Sequence, residues 1–181
     1  MVSRMNPAPA ASRVRKDVRG GEVHGLGFGM TVRVLMVCSG NICRSPTAEA
    51  VLRSMIVAAG LDSDIEVDSA GMGDWHVGQP ADARSRAAAS RRGYRLDGVA
   101  RQVSSADFET FDVIAAVDEH NLDALQAMAP PGTSSALRLL GPDDVPDPYY
   151  GGPDGFETVL DLVEQYSAAL LDELRDGLRQ G

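Results

Sequence analysis

The sequence predicts a single α/β domain: a four-stranded parallel sheet with helices on both faces. Three observations carry that expectation. Val32–Val37 is an almost unbroken apolar run, the pattern of a strand buried on both sides. Strand-like and helix-like segments then alternate along the chain, the order that winds a parallel sheet. Between the first strand and the first helix lies a short polar loop, and ligands in such sheets bind at the strands' C-terminal ends. Cys38 stands at one of those ends.

Taken in order, residues 1–29 are rich in Ala, Pro, Gly and Arg and have neither helical nor strand period, which reads as a disordered basic tail. Met30 is a candidate natural start, and the domain is expected over 30–181. After the first strand and its loop, Ser45 is a good N-cap and Pro46 suits the first helical position. Ala-rich sequence continues to Ala59, with Gly60 as the stop. A second strand is expected at Ile65–Ser69. Helical sequence from about Asp82 to Arg92 ends at Gly93. A short helix near Ser105–Phe108 leads into strand Val113–Val117, and a helix over Glu119–Met128 stops at Pro130-Pro131. The fourth strand is Ala136–Leu140. A Gly/Pro/Asp-rich loop, Gly141–Gly155, precedes a long amphipathic helix from Phe156 to about Leu178.

Composition narrows the function. The chain has 181 residues with 44% apolar content, enough for one domain with a core. No apolar run reaches the length of a membrane span. The N-terminus lacks a hydrophobic signal core, so a cytoplasmic location is expected. A net charge of -9 argues against nucleic acid or an anionic membrane as partner. Residues 1–30 carry +3, which leaves -12 for the rest, so an anionic substrate must be captured by a local site against the global field. Two cysteines, Cys38 and Cys43, are too few for a disulfide scaffold, and no Cys/His cluster has metal-ligand spacing. Neither metal nor cofactor is expected.

Cys38-Ser39-Gly40-Asn41-Ile42-Cys43-Arg44-Ser45 places a thiol, five residues, then Arg and Ser, between a buried strand and a helix start. A loop entering a helix N-terminus turns its free backbone N–H groups inward and makes a nest for an anion, which the helix dipole reinforces. Gly40 is expected to supply unusual backbone angles, and Asn41 tolerates them better than most residues. The nest that receives a phosphate also favours the thiolate form of a cysteine, the form that attacks. Arg44 offers a planar fork for two phosphate oxygens, which Lys cannot copy. Ser45 can turn its hydroxyl to the Cys38 sulfur. Cys43 has two compatible readings, a small buried filler and a redox partner that protects Cys38 from over-oxidation.

Val-Cys-Ser-Gly-Asn-Ile-Cys-Arg-Ser-Pro resembles the signature of the low-molecular-weight protein tyrosine phosphatases. The resemblance runs on through Asp68-Ser69-Ala70-Gly71, Gly73-Asp74-Trp75-His76-Val77-Gly78, Ala100-Arg101-Gln102, Asp118-Glu119-His120-Asn121-Leu122 and Asp147-Pro148-Tyr149-Tyr150-Gly151. It covers about residues 31–178 in order. It implies hydrolysis of phosphotyrosine and other aryl phosphate monoesters through a phosphocysteine, with Cys38 as nucleophile and Arg44 as clamp. The phosphate would lie among Ser39, Gly40, Asn41, Ile42, Cys43, Arg44 and Ser45. Asp147 matches the general acid, a choice that rests on the resemblance because Asp143, Asp144 and Asp154 share the loop and read as solvated turn residues. Trp75, Tyr149 and Tyr150 would wall the substrate ring, with Ile42 beneath it. Asn41 and Ser69 resemble the residues that brace the phosphate loop. His76 reads as a loop hydrogen-bonder. The chain departs from the family where members often carry a His before the Gly that closes the second helix; Arg92 stands there, so the brace is expected to be incomplete or differently built.

Two other readings compete. An arsenate reductase of the same fold passes electrons along further downstream cysteines, and this chain has none after Cys43. A non-catalytic phosphotyrosine-binding module would be expected to lose Cys38 or Asp147 while keeping Arg44. The expected partners are phosphotyrosine proteins or small aryl phosphates, and the protein is expected to be a monomer or weak dimer.

Overall fold

In the computed structural model, which describes residues 31–180, β1 (Val32–Cys38) buries every residue but Arg33. A strand with two apolar faces needs a layer on each side, and β1 accordingly takes the interior of the sheet. The order is β2 (Ile65–Gly71), β1, β3 (Val113–Ala116), β4 (Ala136–Leu139), all parallel. Register places Cys38 beside Gly71 and Val37 beside both Ala70 and Ala116, so the strands' C-terminal ends meet around Cys38. The tail expected at 1–29 lies outside the described residues.

Among the described residues, five helices complete the layers: α1 (Arg44–Ala58), α2 (Ala83–Arg91), α3 (Asp107–Thr110), α4 (Glu119–Met128) and α5 (Pro153–Gln180). The two-residue period of β1 sorts its side chains between them. Val34, Met36 and Cys38 join Val51 and Leu52 of α1 and Val159, Leu160 and Val163 of α5. Leu35 and Val37 join Phe108, Leu122 and Leu125 on the other face, under α3 and α4. Fully burying one such aliphatic side chain stabilises the fold by about 1.5–3 kcal/mol. The thiol of Cys38 therefore points toward the α1 side of the sheet.

The expected strands and the parallel, doubly covered sheet agree with the structure to within two residues. Gly60 (φ 67°) and Gly93 (φ 85°) end α1 and α2 in the left-handed conformation that glycine adopts without a Cβ penalty. Three local expectations are corrected. Helix α3 starts two residues later than Ser105. Helix α5 starts at Pro153, a turn's length before Phe156, because Pro fits a first turn whose amides need no partner. Helix α1 starts at Arg44 with Cys43 at the N-cap and no side-chain cap, so Ser45 is not the cap and Pro46 is the third helical residue.

Arg92, where the resemblance implies a His, ties the end of α2 to α5. Its guanidinium reaches Glu157 at 2.8 Å, Asp161 at 2.7 Å and Glu164 at 3.1 Å. These acids are spaced four and three residues apart and so share one helix face.

Candidate active site

Backbone carbonyls reveal which way the loop after β1 faces. Cys38 O accepts from Met72 N at 2.9 Å, Ser39 O from Gly73 N at 2.9 Å, and Ile42 O from Asp82 N at 2.8 Å. In a trans peptide the N–H points opposite to the C=O. The outward carbonyls therefore turn the amides of Ser39, Gly40 and Cys43 inward, beside the N-terminus of α1. Asn41 takes φ 54°, a left-handed angle that it tolerates better than most residues, and its N–H donates to Cys38 Sγ at 3.2 Å. Gly40 does not have a positive φ. A Cβ there would lie 3.0 Å from Cδ2 of His76, so the loop and that side chain approach closely. Gly71 backs the loop as closely, because a Cβ would sit 3.0 Å from Asn41 N and Gly40 C.

Cys38 and Ser45 meet at the floor of this nest. Ser45 Oγ lies 3.0 Å from Cys38 Sγ and 3.2 Å from Ala70 O, its two acceptors, and accepts from Asn41 Nδ2 at 2.9 Å. That engagement explains why the hydroxyl is not a helix cap. Asn41 also donates to Ser69 Oγ at 2.9 Å, and Ser69 donates to Glu49 Oε2 at 2.5 Å. Asn41 Oδ1 accepts from Arg101 N at 3.0 Å. The side chain of the buried Asn41 is thus bonded to Ser45, Ser69 and the Arg101 amide, and none of these contacts involves Arg92.

Arg44 is buried, with four acceptors on its two terminal nitrogens. Nη1 donates to Asp118 Oδ2 and to Val145 O at 3.1 Å. Nη2 donates to Ser39 Oγ at 3.3 Å and to Asp147 Oδ2 at 3.1 Å. The Asp118 carboxylate also caps α4, accepting from Asn121 N at 2.7 Å through Oδ1. Asp147 is different: its side chain is 47% exposed, while that of Asp118 is 15% exposed. Asp147 Oδ1 accepts from Tyr149 N at 3.1 Å.

The aromatic residues stand at the surface. Trp75 is 63% exposed, Tyr149 37% and Tyr150 94%, whereas Ile42 is buried in the loop. Tyr149 meets Tyr150 edge-on at 4.9 Å between ring centres and lies 6.4 Å from His76. His76 Nδ1 is 3.0 Å from Gln79 Oε1, in keeping with a loop hydrogen-bonder. Trp75 covers Gly73, where any Cβ would collide with the indole. Cys43 is a buried free thiol, and burial pushes its pKa up to about 11. Among the described residues, no group of three or more His, Cys, Asp or Glu is arranged to hold a metal ion.

Residues 33–180 match the family model described as low molecular weight phosphotyrosine protein phosphatase. The chain belongs to that family. A low molecular weight protein-tyrosine-phosphatase of Streptomyces coelicolor is 48% identical over 157 residues, covering 81% of this chain and 96% of the relative. The crystal structure of a protein tyrosine phosphatase from Entamoeba histolytica with Hepes in the active site superimposes with a TM-score of 0.79 at 39% identity. It covers 81% of this chain and 99% of that one. The crystal structure of YfkJ from Bacillus subtilis gives 0.77 at 40% identity, covering 83% and 98%.

Within this low molecular weight phosphatase site, the structure adds residues that the sequence reading left without a role. Asp118 grips Arg44, Glu49 anchors Ser69, and Val145 offers its carbonyl to Arg44. Asp118 was in view inside a family motif, and its position before a helix marks it as a cap. Its second oxygen is committed to Arg44, 74 positions away in sequence, which no local pattern encodes. Asp144 is not merely a solvated turn residue either, since it accepts from Glu119 N at 2.9 Å.

Proposed function

We propose that the protein hydrolyses phosphotyrosine and other aryl phosphate monoesters through a phosphocysteine intermediate. The observation that carries this is Cys38 Sγ at the floor of an amide nest, with Arg44 spanning from that nest to Asp147. Family membership supports it and favours it over an arsenate reductase or a binding module.

The phosphate enters the nest, where inward amides and the guanidinium meet its charge in a partly desolvated pocket. The four acceptors on Arg44 leave Nε free of one among the described residues. A bidentate phosphate therefore takes Nε and an Nη2 proton, and displaces Asp147 from that proton. The displaced carboxyl stays beside the phosphate, where the leaving oxygen emerges. Cys38 sulfur attacks phosphorus; the S–P bond forms as the P–O bond to the phenol breaks, and Asp147 gives its proton to that oxygen. Asp147, now a carboxylate, takes a proton from water, which attacks phosphorus and breaks the S–P bond. Inorganic phosphate leaves and the Cys38 thiolate is restored, steadied by Ser45 Oγ–H and Asn41 N–H.

Ile42, Trp75, Tyr149 and Tyr150 form the substrate walls in this reading, a role their placement around the loop supports. Substrates are phosphotyrosine proteins or small aryl phosphates rather than nucleic acid. No described helix is long and apolar enough to cross a membrane. A cytoplasmic location and a monomeric or weakly dimeric state belong to the same proposal. The test is turnover of p-nitrophenyl phosphate by the wild type and Cys38→Ser. The variant should be inactive yet bind phosphate, and residual turnover above a trace in clean protein would refute the mechanism.

A further inference from the structure

Arg84, at the second position of α2, links the acid loop to the phosphate loop. Its backbone N–H and Nε both donate to Asp82 Oδ1, at 2.8 and 3.0 Å, and Nη2 donates to Asp82 Oδ2 at 2.8 Å. Asp82 is thus an N-cap and a two-point anchor for one guanidinium. The remaining terminal nitrogen, Nη1, donates to Tyr149 O at 3.0 Å, 65 residues away in sequence. The central carbon of the guanidinium lies over two aromatic rings, 4.9 Å from the centre of Phe156 and 5.4 Å from that of Tyr149.

The surrounding bonds close a ring. Asp82 N holds Ile42 O of the phosphate loop, and Asp82 carboxylate holds Arg84. Arg84 holds Tyr149 O, Tyr149 N holds Asp147 Oδ1, and Asp147 Oδ2 returns to Arg44 of the phosphate loop. When phosphate displaces the last of these links, Arg84 and Tyr149 remain to fix where the Asp147 carboxyl goes.

We propose that Arg84 is a positioning residue that holds the Asp147 loop in register with the phosphate loop during proton transfer. The inference rests on Asp147 being the general acid. An exposed ion pair contributes little stability by itself, but Arg84 is pinned by a two-point carboxylate and by the Phe156 ring before it reaches Tyr149. Misplacing a catalytic group by about an ångström costs up to roughly 100-fold in rate.

The experiment measures kcat/KM for phenyl phosphate and for 2,4-dinitrophenyl phosphate, whose leaving group needs no proton. It uses wild type, Arg84→Ala, Arg84→Gln, Arg84→Lys and Asp147→Asn. Arg84→Ala should lower the phenyl to dinitrophenyl ratio by roughly 10- to 100-fold, and Arg84→Lys should recover part of it, because an ammonium can still reach Tyr149 O and sit over the rings. Circular dichroism and phosphate binding confirm that each variant is folded, and Arg84→Gln replaces Arg84→Ala if the latter is not. An unchanged ratio in the folded Arg84 variants, alongside a large fall in Asp147→Asn, overturns the role of Arg84 alone. An unchanged ratio in Asp147→Asn overturns the acid assignment, and the role of Arg84 with it.

Discussion

Asp147 Oδ2 and Arg44 Nη2 lie 3.1 Å apart, so the proposed acid and the proposed phosphate clamp hold each other directly. On the far side of the same guanidinium, Asp118 and Val145 O grip Nη1. The two carboxylates differ in what they can do. Asp118 is committed twice, to Arg44 and to the start of α4, and is largely shielded from solvent. Asp147 is half exposed and sits on a Pro-stiffened loop, so it can be exchanged for phosphate while Asp118 keeps the fork aimed.

Arg44→Lys should lose most turnover although charge is conserved. An ammonium cannot serve Asp118 and two phosphate oxygens in one plane. Asp118→Asn should raise KM by roughly tenfold or more, the scale of one lost charged hydrogen bond of about 1.5–3 kcal/mol. Steady-state kinetics with p-nitrophenyl phosphate checks both, and a mild effect of Arg44→Lys would show that the fork geometry is dispensable.

Gly71→Ala should impair the nest from behind. Its new methyl would meet backbone atoms of residues 40 and 41 at 3.0 Å, and backbone cannot swing aside as a side-chain tip can. Phosphate affinity should fall while the parallel sheet persists. Isothermal titration with inorganic phosphate, run beside circular dichroism, reports the two separately; unaltered affinity would mean that the loop yields freely.

Cys43 provides a pH prediction. Burial favours its neutral thiol and pushes the folded value to about 11, from an ordinary 9.0. The unfolded chain therefore loses this proton first as pH rises. The stabilisation is complete below about pH 9 and is lost as the pH climbs from there through 11. Iodoacetamide at neutral pH should modify Cys38, protectably by phosphate, and spare Cys43 until the protein is unfolded or the pH approaches 11. Peptide mapping decides this. After peroxide, Cys38 sulfenic acid can still condense with the Cys43 thiol, forming the S–S bond and releasing water. Wild type should then recover with dithiothreitol better than Cys43→Ala, and equal recovery would leave Cys43 as packing only.

The fold was legible because its signals are local and agree with one another. The apolar run at Val32–Val37, the stops at Gly60 and Gly93 and the thiol-to-Arg loop each announce themselves within a dozen residues. What escaped was long-range or depended on what a side chain does instead of its usual work. Ser45 looked like a cap, yet its hydroxyl is drawn to the Cys38 sulfur and Ala70 O. Gly40 looked like a source of backbone freedom, whereas Asn41 takes the left-handed angle and Gly40 makes room for His76. The brace around Asn41 draws on Arg101 N, 60 positions away, so a substitution at Arg92 could not reveal whether it was whole.

The assignment of Asp147 is the part of the site most in need of chemistry, since Asp143 and Asp144 share its loop and Asp154 lies in the first turn of the helix that follows. In the proposed mechanism Asp147 gives its proton to the departing oxygen. An acid matters only when the departing oxygen is a poor leaving group. Asp147→Asn should therefore slow phenyl phosphate and phosphotyrosine by roughly two to four orders of magnitude, the usual scale for general acid catalysis. An ester of a very acidic phenol should be slowed far less. The asparagine can keep the contact to Arg44 through its amide oxygen, so the loss isolates the proton from the geometry. Plotting log kcat/KM against leaving-group pKa for both proteins gives the answer. Wild type should be nearly flat and the variant steep. Parallel lines would dismiss Asp147 and turn attention to Asp143 and Asp154, because Asp144 is already engaged with the amide of Glu119.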